Sequence, residues 1–340
     1  MNYKLFGHSG LRVSPLCLGT MTFGSDAGWC ARPDEVKKIF AAYANAGGNF
    51  IDTANIYTGG ESEALVGDLV RADRDFYVVA SKYSMCMPPN KNPNLFGNHR
   101  KNLTHTLDNC LRRMQLDYVD IFWLHIWDFT TPIEEVMRAL DDAVRAGKVL
   151  YIGISDAPAW VTARANALAE LQGWTSFIGL QNQYSLLERT IEREHVPMAK
   201  ALDLSLTAWG ALGTGFLTGK YTRDAGQGRL DVMGGAPKDE FKLQVAREVD
   251  TIADELGCSS SQVALNWVRQ QGHIPIVGAR TEAQMKQNLA CLEVELSDEH
   301  CRRLDEVSAL PMGHPYETID NAYVAEIAYG GMLNNIETRR

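Results

Sequence analysis

The chain has 340 residues, 45% of them hydrophobic, with 33 basic side chains against 42 acidic ones and a formal charge of −9. That is an ordinary composition for a packed globular protein, and the acidic balance argues against a nucleic-acid or membrane-surface binder, since both need a positive field. No apolar run reaches the ~18 residues of a bilayer span, and seven cysteines without a Cys-x-x-Cys spacing suit reduced thiols in the cytoplasm better than disulfides or a zinc site.

Residues 1–6 lack the apolar core of a signal peptide. The segment 3–14 reads as a hairpin turning at His8-Ser9-Gly10, and the first buried strand is predicted over 16–19. A helix opens at Pro33 and runs to 46, because proline is well placed in a first turn. A strand over 49–52 and a helix over 61–70 follow, then the β-branched run 77–81, too short for a helix. After a loop rich in Pro and Asn over 83–97, the pattern repeats. The predicted helices are 99–115, 132–146, 158–171 and 191–202, and the strands 118–124, 149–154, 177–181 and 204–209. A glycine-rich loop over 210–237 precedes helices over 239–256 and 260–270, a last strand over 274–277 and a helix over 281–290. Ser297 reads as the N-cap of a helix over 298–307.

Eight near-continuous apolar strands, each followed by a helix, predict a parallel sheet. One chain of this length then suits a closed (β/α)₈ TIM barrel with an N-terminal hairpin, long loops and a C-terminal extension, as one domain over 1–340. The rival, a doubly wound open sheet, lacks its Gly-x-Gly-x-x-Gly signature: Leu18-Gly19-Thr20-Met21 stands after the first strand.

In such a barrel the chemistry belongs at the C-terminal strand ends. Those ends carry Asp52 with Tyr57 beyond it, Lys82, His125, Ser155-Asp156, Gln181-Asn182, Trp209-Gly210 and Gly278-Ala279-Arg280. Taken singly, Asp52 is a cap, Tyr57 a loop aromatic, Lys82 a solvated end and His125 a core histidine. Together at one mouth, a carboxylate, a phenol, an ammonium and an imidazole make a catalytic constellation. Glu61 and Glu63 read as ordinary first-turn acids. No metal-binding spacing is present, and Cys86 has no evident activating base.

These residues also carry a resemblance. Phe50-Ile-Asp52-Thr-Ala-Asn-Ile-Tyr57 with Gly60-Glu61-Ser62-Glu63, Ala80-Ser-Lys82, Leu124-His125, Gly153-Ile-Ser-Asp156, Gln181-Asn-Gln-Tyr184, the loop 210–220 and Pro275-Ile-Val-Gly278-Ala-Arg280 together resemble the aldo-keto reductases. Trp123-Leu-His125-Ile-Trp127-Asp128 is most similar to the aryl-alcohol dehydrogenase and potassium-channel β-subunit side of that family. The resemblance implies carbonyl reduction, with Tyr57 as general acid, Lys82 as its tuner, Asp52 holding Lys82 and His125 orienting the carbonyl. An ammonium beside a phenol is expected to lower its pKa.

The resemblance also implies NADPH, with NADH as the lesser partner. Ser155, Asp156 and Gln181 map to the nicotinamide carboxamide, where the family usually has Asn in place of Asp156. Trp209 maps to the nicotinamide stack, Gly210, Leu212, Gly215, Leu217 and Lys220 to the pyrophosphate, and Gly278, Arg280, Gln284 and Asn288 to the adenosine end. Arg280 suits a 2′-phosphate, although Gln284 stands where many members carry a second arginine. Trp29, Tyr83, Trp127 and Phe129 are expected to line an apolar pocket for a small carbonyl substrate. The tail 313–340 is a candidate for a cover over the mouth or for homo-oligomer assembly. An NADPH-binding regulatory or redox-sensing subunit is the alternative to an enzyme.

Overall fold

The computed structural model describes residues 1–25, 30–87, 90–223 and 239–337. These fall into two compact units, Met1–Ser308 and Ala309–Arg340.

The first unit is the barrel. Strands β3 (Cys17–Gly19), β4 (Phe50–Asp52), β5 (Val78–Tyr83), β6 (Val119–Leu124), β7 (Val149–Ser155), β8 (Phe177–Gln183), β9 (Ser205–Trp209) and β10 (Ile274–Val277) form one closed parallel sheet in chain order, β10 pairing back onto β3. Helices α1 (Pro33–Asn45), α2 (Glu61–Val70), α3 (Arg100–Met114), α4 (Ile133–Arg145), α5 (Ala159–Gln172), α6 (His195–Ala201), α7 (Glu240–Leu256), α8 (Ser260–Gln270), α9 (Glu282–Leu289) and α10 (Asp298–Val307) belong to the same unit. Their ends follow local chemistry. Pro33 opens α1 at its first turn, the Asp239 carboxylate accepts the N–H groups of Phe241 and Lys242, and Ser259 and Ser297 each close a capping box.

Strand alternation divides the core in two. Phe50, Val78, Ala80, Ile121, Trp123 and Ile274 fill the barrel interior, while Ile51, Val79, Phe122, Leu124 and Val277 pack outward against the helices. The hairpin of β1 (Lys4–Leu5) and β2 (Arg12–Val13) sends Phe6 into the interior, edge-on to Phe50 at 5.4 Å and to Trp123 at 6.3 Å. Trp123 takes the space beside Gly153, where a Cβ would meet its indole ring.

Several elements depart from expectation, β8 among them, which runs to Gln183 rather than 181. β5 extends two residues further, so Lys82 lies inside the strand rather than after it. The helix expected over 191–202 divides into a 3-10 turn, Thr190–Glu192, and α6. Pro197 explains the break, since it has no N–H for the preceding turn and its ring would collide with the carbonyl four residues back. The second unit holds two short helices that periodicity did not reveal, α11 (Tyr316–Ile319) and α12 (Ala322–Ala328), the latter capped by the Asn321 side chain.

Candidate active site

The residue parity that fills the barrel interior also places its polar top. Phe50 and Asp52 share one face of β4, as do Ala80 and Lys82 on β5, while His125 follows Trp123 at the end of β6. Asp52, Lys82 and His125 are all buried, and Tyr57 is half-buried in the turn Tyr57–Gly60.

Lys82 is the centre of this cluster. Its three N–H bonds are directed to the Asp52 carboxylate, to the Thr53 carbonyl at 2.8 Å and to the Tyr57 hydroxyl at 3.3 Å. The ion pair with Asp52 and the bond to Tyr57 hold the Lys82 ammonium above its usual pKa against the opposing effect of burial. Asp52 accepts a further bond from Gln181 Nε2 at 2.8 Å, so that amide is already turned toward the cluster. Tyr57 is held above the ordinary phenol value, because burial outweighs the pull of Lys82. Lys82 thus acts in the expected direction, but the net displacement of Tyr57 is upward.

The His125 ring stands edge-on to Tyr57, with centroids 6.3 Å apart. Burial, then the Lys82 charge, lowers its pKa to about 3, so the imidazole is neutral at pH 7. Nδ1 is buried without a partner, which leaves Nε2 as the nitrogen able to meet a substrate. The loops on either side are braced. The His125 N–H bonds the Tyr83 carbonyl, Asn98 Nδ2 donates to Ser84 Oγ and to the Ile126 carbonyl at 2.9 Å each, and Asn98 Oδ1 accepts the Asp128 N–H at 2.8 Å.

On the other side of the mouth, Ser155 pairs with Gln181 between β7 and β8, and the Asp156 N–H bonds the Gln181 carbonyl. The Trp209 indole N–H donates to Asp156 Oδ1 at 3.1 Å. Asp156 has φ = 41°, a left-handed conformation that Asn and Asp tolerate better than most residues. The following loop turns through Gly210, Gly213, Thr214, Gly215 and Gly219, all at positive φ. Gly215, at φ = 91°, has open space where a Cβ would stand, so a ligand can approach its backbone closely. Leu217 is buried; Leu212 and Lys220 are half-buried. Gly278 and Arg280 are exposed at the start of α9, and the Arg280 guanidinium makes no ion pair among the described residues. Gln284 accepts the Arg280 N–H at 2.9 Å, and Asn288 donates to the Gly278 carbonyl at 3.2 Å. The half-buried Trp209 indole, the open glycine turn and the exposed Arg280 guanidinium are groups of the kind that could hold a dinucleotide.

Two expectations need correction. Tyr83 does not line a pocket: it is fully buried on the outer face of β5, stacked on Phe122 at 5.4 Å, because its parity is opposite to that of Lys82. Trp127 is likewise drawn into the core, its N–H bonded to the Asp156 carbonyl. Phe129 is 71% exposed at φ = 55°, while Trp29 lies outside the described residues. Glu63 lies in the first turn of α2 as expected, but it is not an ordinary first-turn acid. It is fully buried, paired with Arg113 of α3 and accepting the Ser81 hydroxyl at 2.5 Å, so it ties α2 and α3 to the strand that carries Lys82. Of the two acids, only the half-buried Glu61 remains toward the surface, where it accepts the Ser25 N–H at 2.9 Å. No group of three or more metal-ligating side chains occurs among the described residues.

The profile of the Aldo/keto reductase family matches residues 15–309. The chain belongs to that family. This aldo-keto reductase is 36% identical to norsolorinic acid reductase of Aspergillus flavus, over 94% of its own length and 85% of the relative's. It is 38% identical to norsolorinic acid reductase of Emericella nidulans, over 90% and 81% of the two chains. It is 34% identical to the NADP(+)-dependent aryl-alcohol dehydrogenase of Phanerodontia chrysosporium, over 90% and 86%. The aldo-keto reductase is therefore an NAD(P)-dependent oxidoreductase, and small carbonyl compounds fit the family.

Proposed function

We propose that the protein is an NADPH-dependent reductase of aromatic aldehydes and ketones, acting reversibly through Tyr57. The observation that carries this reading is the fully buried Lys82 ammonium, fixed by Asp52 and the Thr53 carbonyl and donating to the Tyr57 hydroxyl at 3.3 Å. When bound, NADPH supplies hydride to the carbonyl carbon. The chain supplies the rest. Tyr57 gives its proton to the carbonyl oxygen as negative charge develops there, and Lys82 stabilises the resulting phenolate. The neutral His125 donates from Nε2 to the same oxygen and sets the carbonyl's direction. In oxidation Tyr57 takes the proton back.

Trp209 offers a stacking face for the nicotinamide, Ser155 and Gln181 polar groups for its carboxamide, the turn around Gly215 a cradle for the pyrophosphate, and Arg280 a cation for a 2′-phosphate. Phe129, exposed and held in a left-handed turn braced by Asp128, is suited to stack on an aromatic substrate. The names of the relatives, norsolorinic acid reductase and aryl-alcohol dehydrogenase, support the same substrate class. The seven cysteines carry no Cys-x-x-Cys spacing, which supports a cytoplasmic setting. The test is steady-state NADPH consumption over a panel of aryl aldehydes, aliphatic aldehydes, ketones and sugars. Turnover greatest with aryl carbonyls is expected; NADPH binding without turnover on any of them would favour the sensor alternative.

A further inference from the structure

Among the described residues near Trp209 stands a carboxylate that the proton transfer does not use, Asp156. Asp52 and Lys82 cancel each other's charge as an ion pair, His125 is neutral and Tyr57 is a phenol at neutral pH. Asp156 is different. Its carboxylate accepts from a neutral indole, Trp209 Nε1 at 3.1 Å, and has no paired cation among the described residues. The nearby His195 is turned to another partner, bonding the Ala157 carbonyl through Nε2 at 2.8 Å. Burial raises the Asp156 pKa, opposed by the Trp209 bond and by the Lys82 and His195 charges; in its ionised form the side chain places a negative charge at the edge of the indole.

We propose that the Asp156 carboxylate makes the site bind the oxidised, positively charged nicotinamide more tightly, relative to the reduced one, than a neutral residue would. The inference rests on the NADPH reading above, in which Trp209 offers the stacking face for the nicotinamide. The oxidised ring carries a positive charge and the reduced ring carries none, while the pyrophosphate and 2′-phosphate are common to both. A fixed carboxylate beside the ring therefore acts almost wholly on the difference between the two forms, and in a partly excluded site that difference is not fully screened. Compared with a neutral Asn at this position, Asp156 therefore raises occupancy by NADP⁺ at a given NADP⁺/NADPH ratio and, with cofactor bound, stabilises the oxidised-cofactor side of hydride transfer. Asp156 also aims the indole. Asn keeps an acceptor for Trp209 Nε1 and alanine does not, so the two effects are separable.

The experiment measures dissociation constants for NADPH, by its own fluorescence, and for NADP⁺, by displacement of NADPH, in wild type, Asp156→Asn and Asp156→Ala. In both variants the ratio Kd(NADP⁺)/Kd(NADPH) is expected to rise by about tenfold, the scale of one largely screened charge a few ångströms away. Absolute affinity for both forms is expected to fall further in Asp156→Ala, where the indole loses its acceptor. A ratio unchanged within about twofold in both variants overturns the proposal, whatever happens to the affinities, because a purely structural Asp156 would weaken both forms alike. If wild type bound neither form, the cofactor reading itself would fall and this inference with it.

Discussion

The chemistry assigned to Tyr57 depends on what surrounds one ammonium. Burial raises the phenol's pKa and Lys82 is the main influence opposing it, so the proton rests on Tyr57 at neutral pH, where reduction needs it. Alcohol oxidation needs the phenolate and should therefore speed up as pH rises above neutrality. Lys82→Met removes the opposing charge, so Tyr57 titrates still higher and Asp52 is left buried without its cation. The oxidation profile of kcat/KM against pH, measured with cofactor saturating, should move upward with a lower maximum, and reduction should slow. An unmoved profile at near-normal rate would show that Lys82 does not tune Tyr57. Much of this was legible in the residues, because Asp52, Tyr57, Lys82 and His125 stand at consecutive strand ends. The net direction of the Tyr57 shift was not, since it depends on burial that only the closed mouth creates. Glu63 was equally illegible. It and Glu61 look alike in a first helical turn, and the difference lies in Arg113, 50 residues away in the chain.

Among the elements, strand parity decides most outcomes. It sends Lys82 inward and Tyr83 outward, and an expected strand ending at Ser81 leaves both free to be assigned to the mouth. The same parity places Gly153 against Trp123 in the interior. Gly153→Ala should lower stability by ~1–3 kcal/mol, the usual cost of overpacking, read as a lower denaturant midpoint with unchanged slope. An unaltered midpoint would mean the indole moves aside freely. At the start of α9, the exposed Arg280 makes a different claim. Arg280→Ala should weaken NADPH roughly tenfold or more and NADH little, given ~1.5–3 kcal/mol for a charge-assisted contact. Equal weakening of both cofactors in a fluorescence titration would remove the basis for preferring NADPH. Pro197 was present in the sequence as a helix breaker, and the division of 191–202 follows from it; the short helices of Ala309–Arg340 had no amphipathic period to betray them.

For the molecule as a whole, eight parallel strands close a barrel with Asp52, Lys82, Ser155 and Trp209 at the C-terminal ends of their strands and His125 and Asp156 directly after. The cost of that burial is visible in its histidines. His125 is lowered to about 3 and His273 to about 4, chiefly by burial, whereas both titrate near 6.5 when unfolded. Between those values the unfolded chain binds more protons, so stability is fully present above ~6.5 and declines as pH falls, by ~1–2 kcal/mol per histidine at pH 5. Melting temperature should drop from pH 7 to pH 5, and His273→Gln should flatten that dependence; equal slopes in the two proteins would contradict it. Proton donation by Tyr57 in carbonyl reduction is decided by Tyr57→Phe, with NADPH affinity and aryl-aldehyde turnover measured on the same preparation. Near-wild-type NADPH binding is expected, with turnover reduced by ~10²–10⁴. Wild-type turnover in that variant, with chemistry rate-limiting, would contradict it.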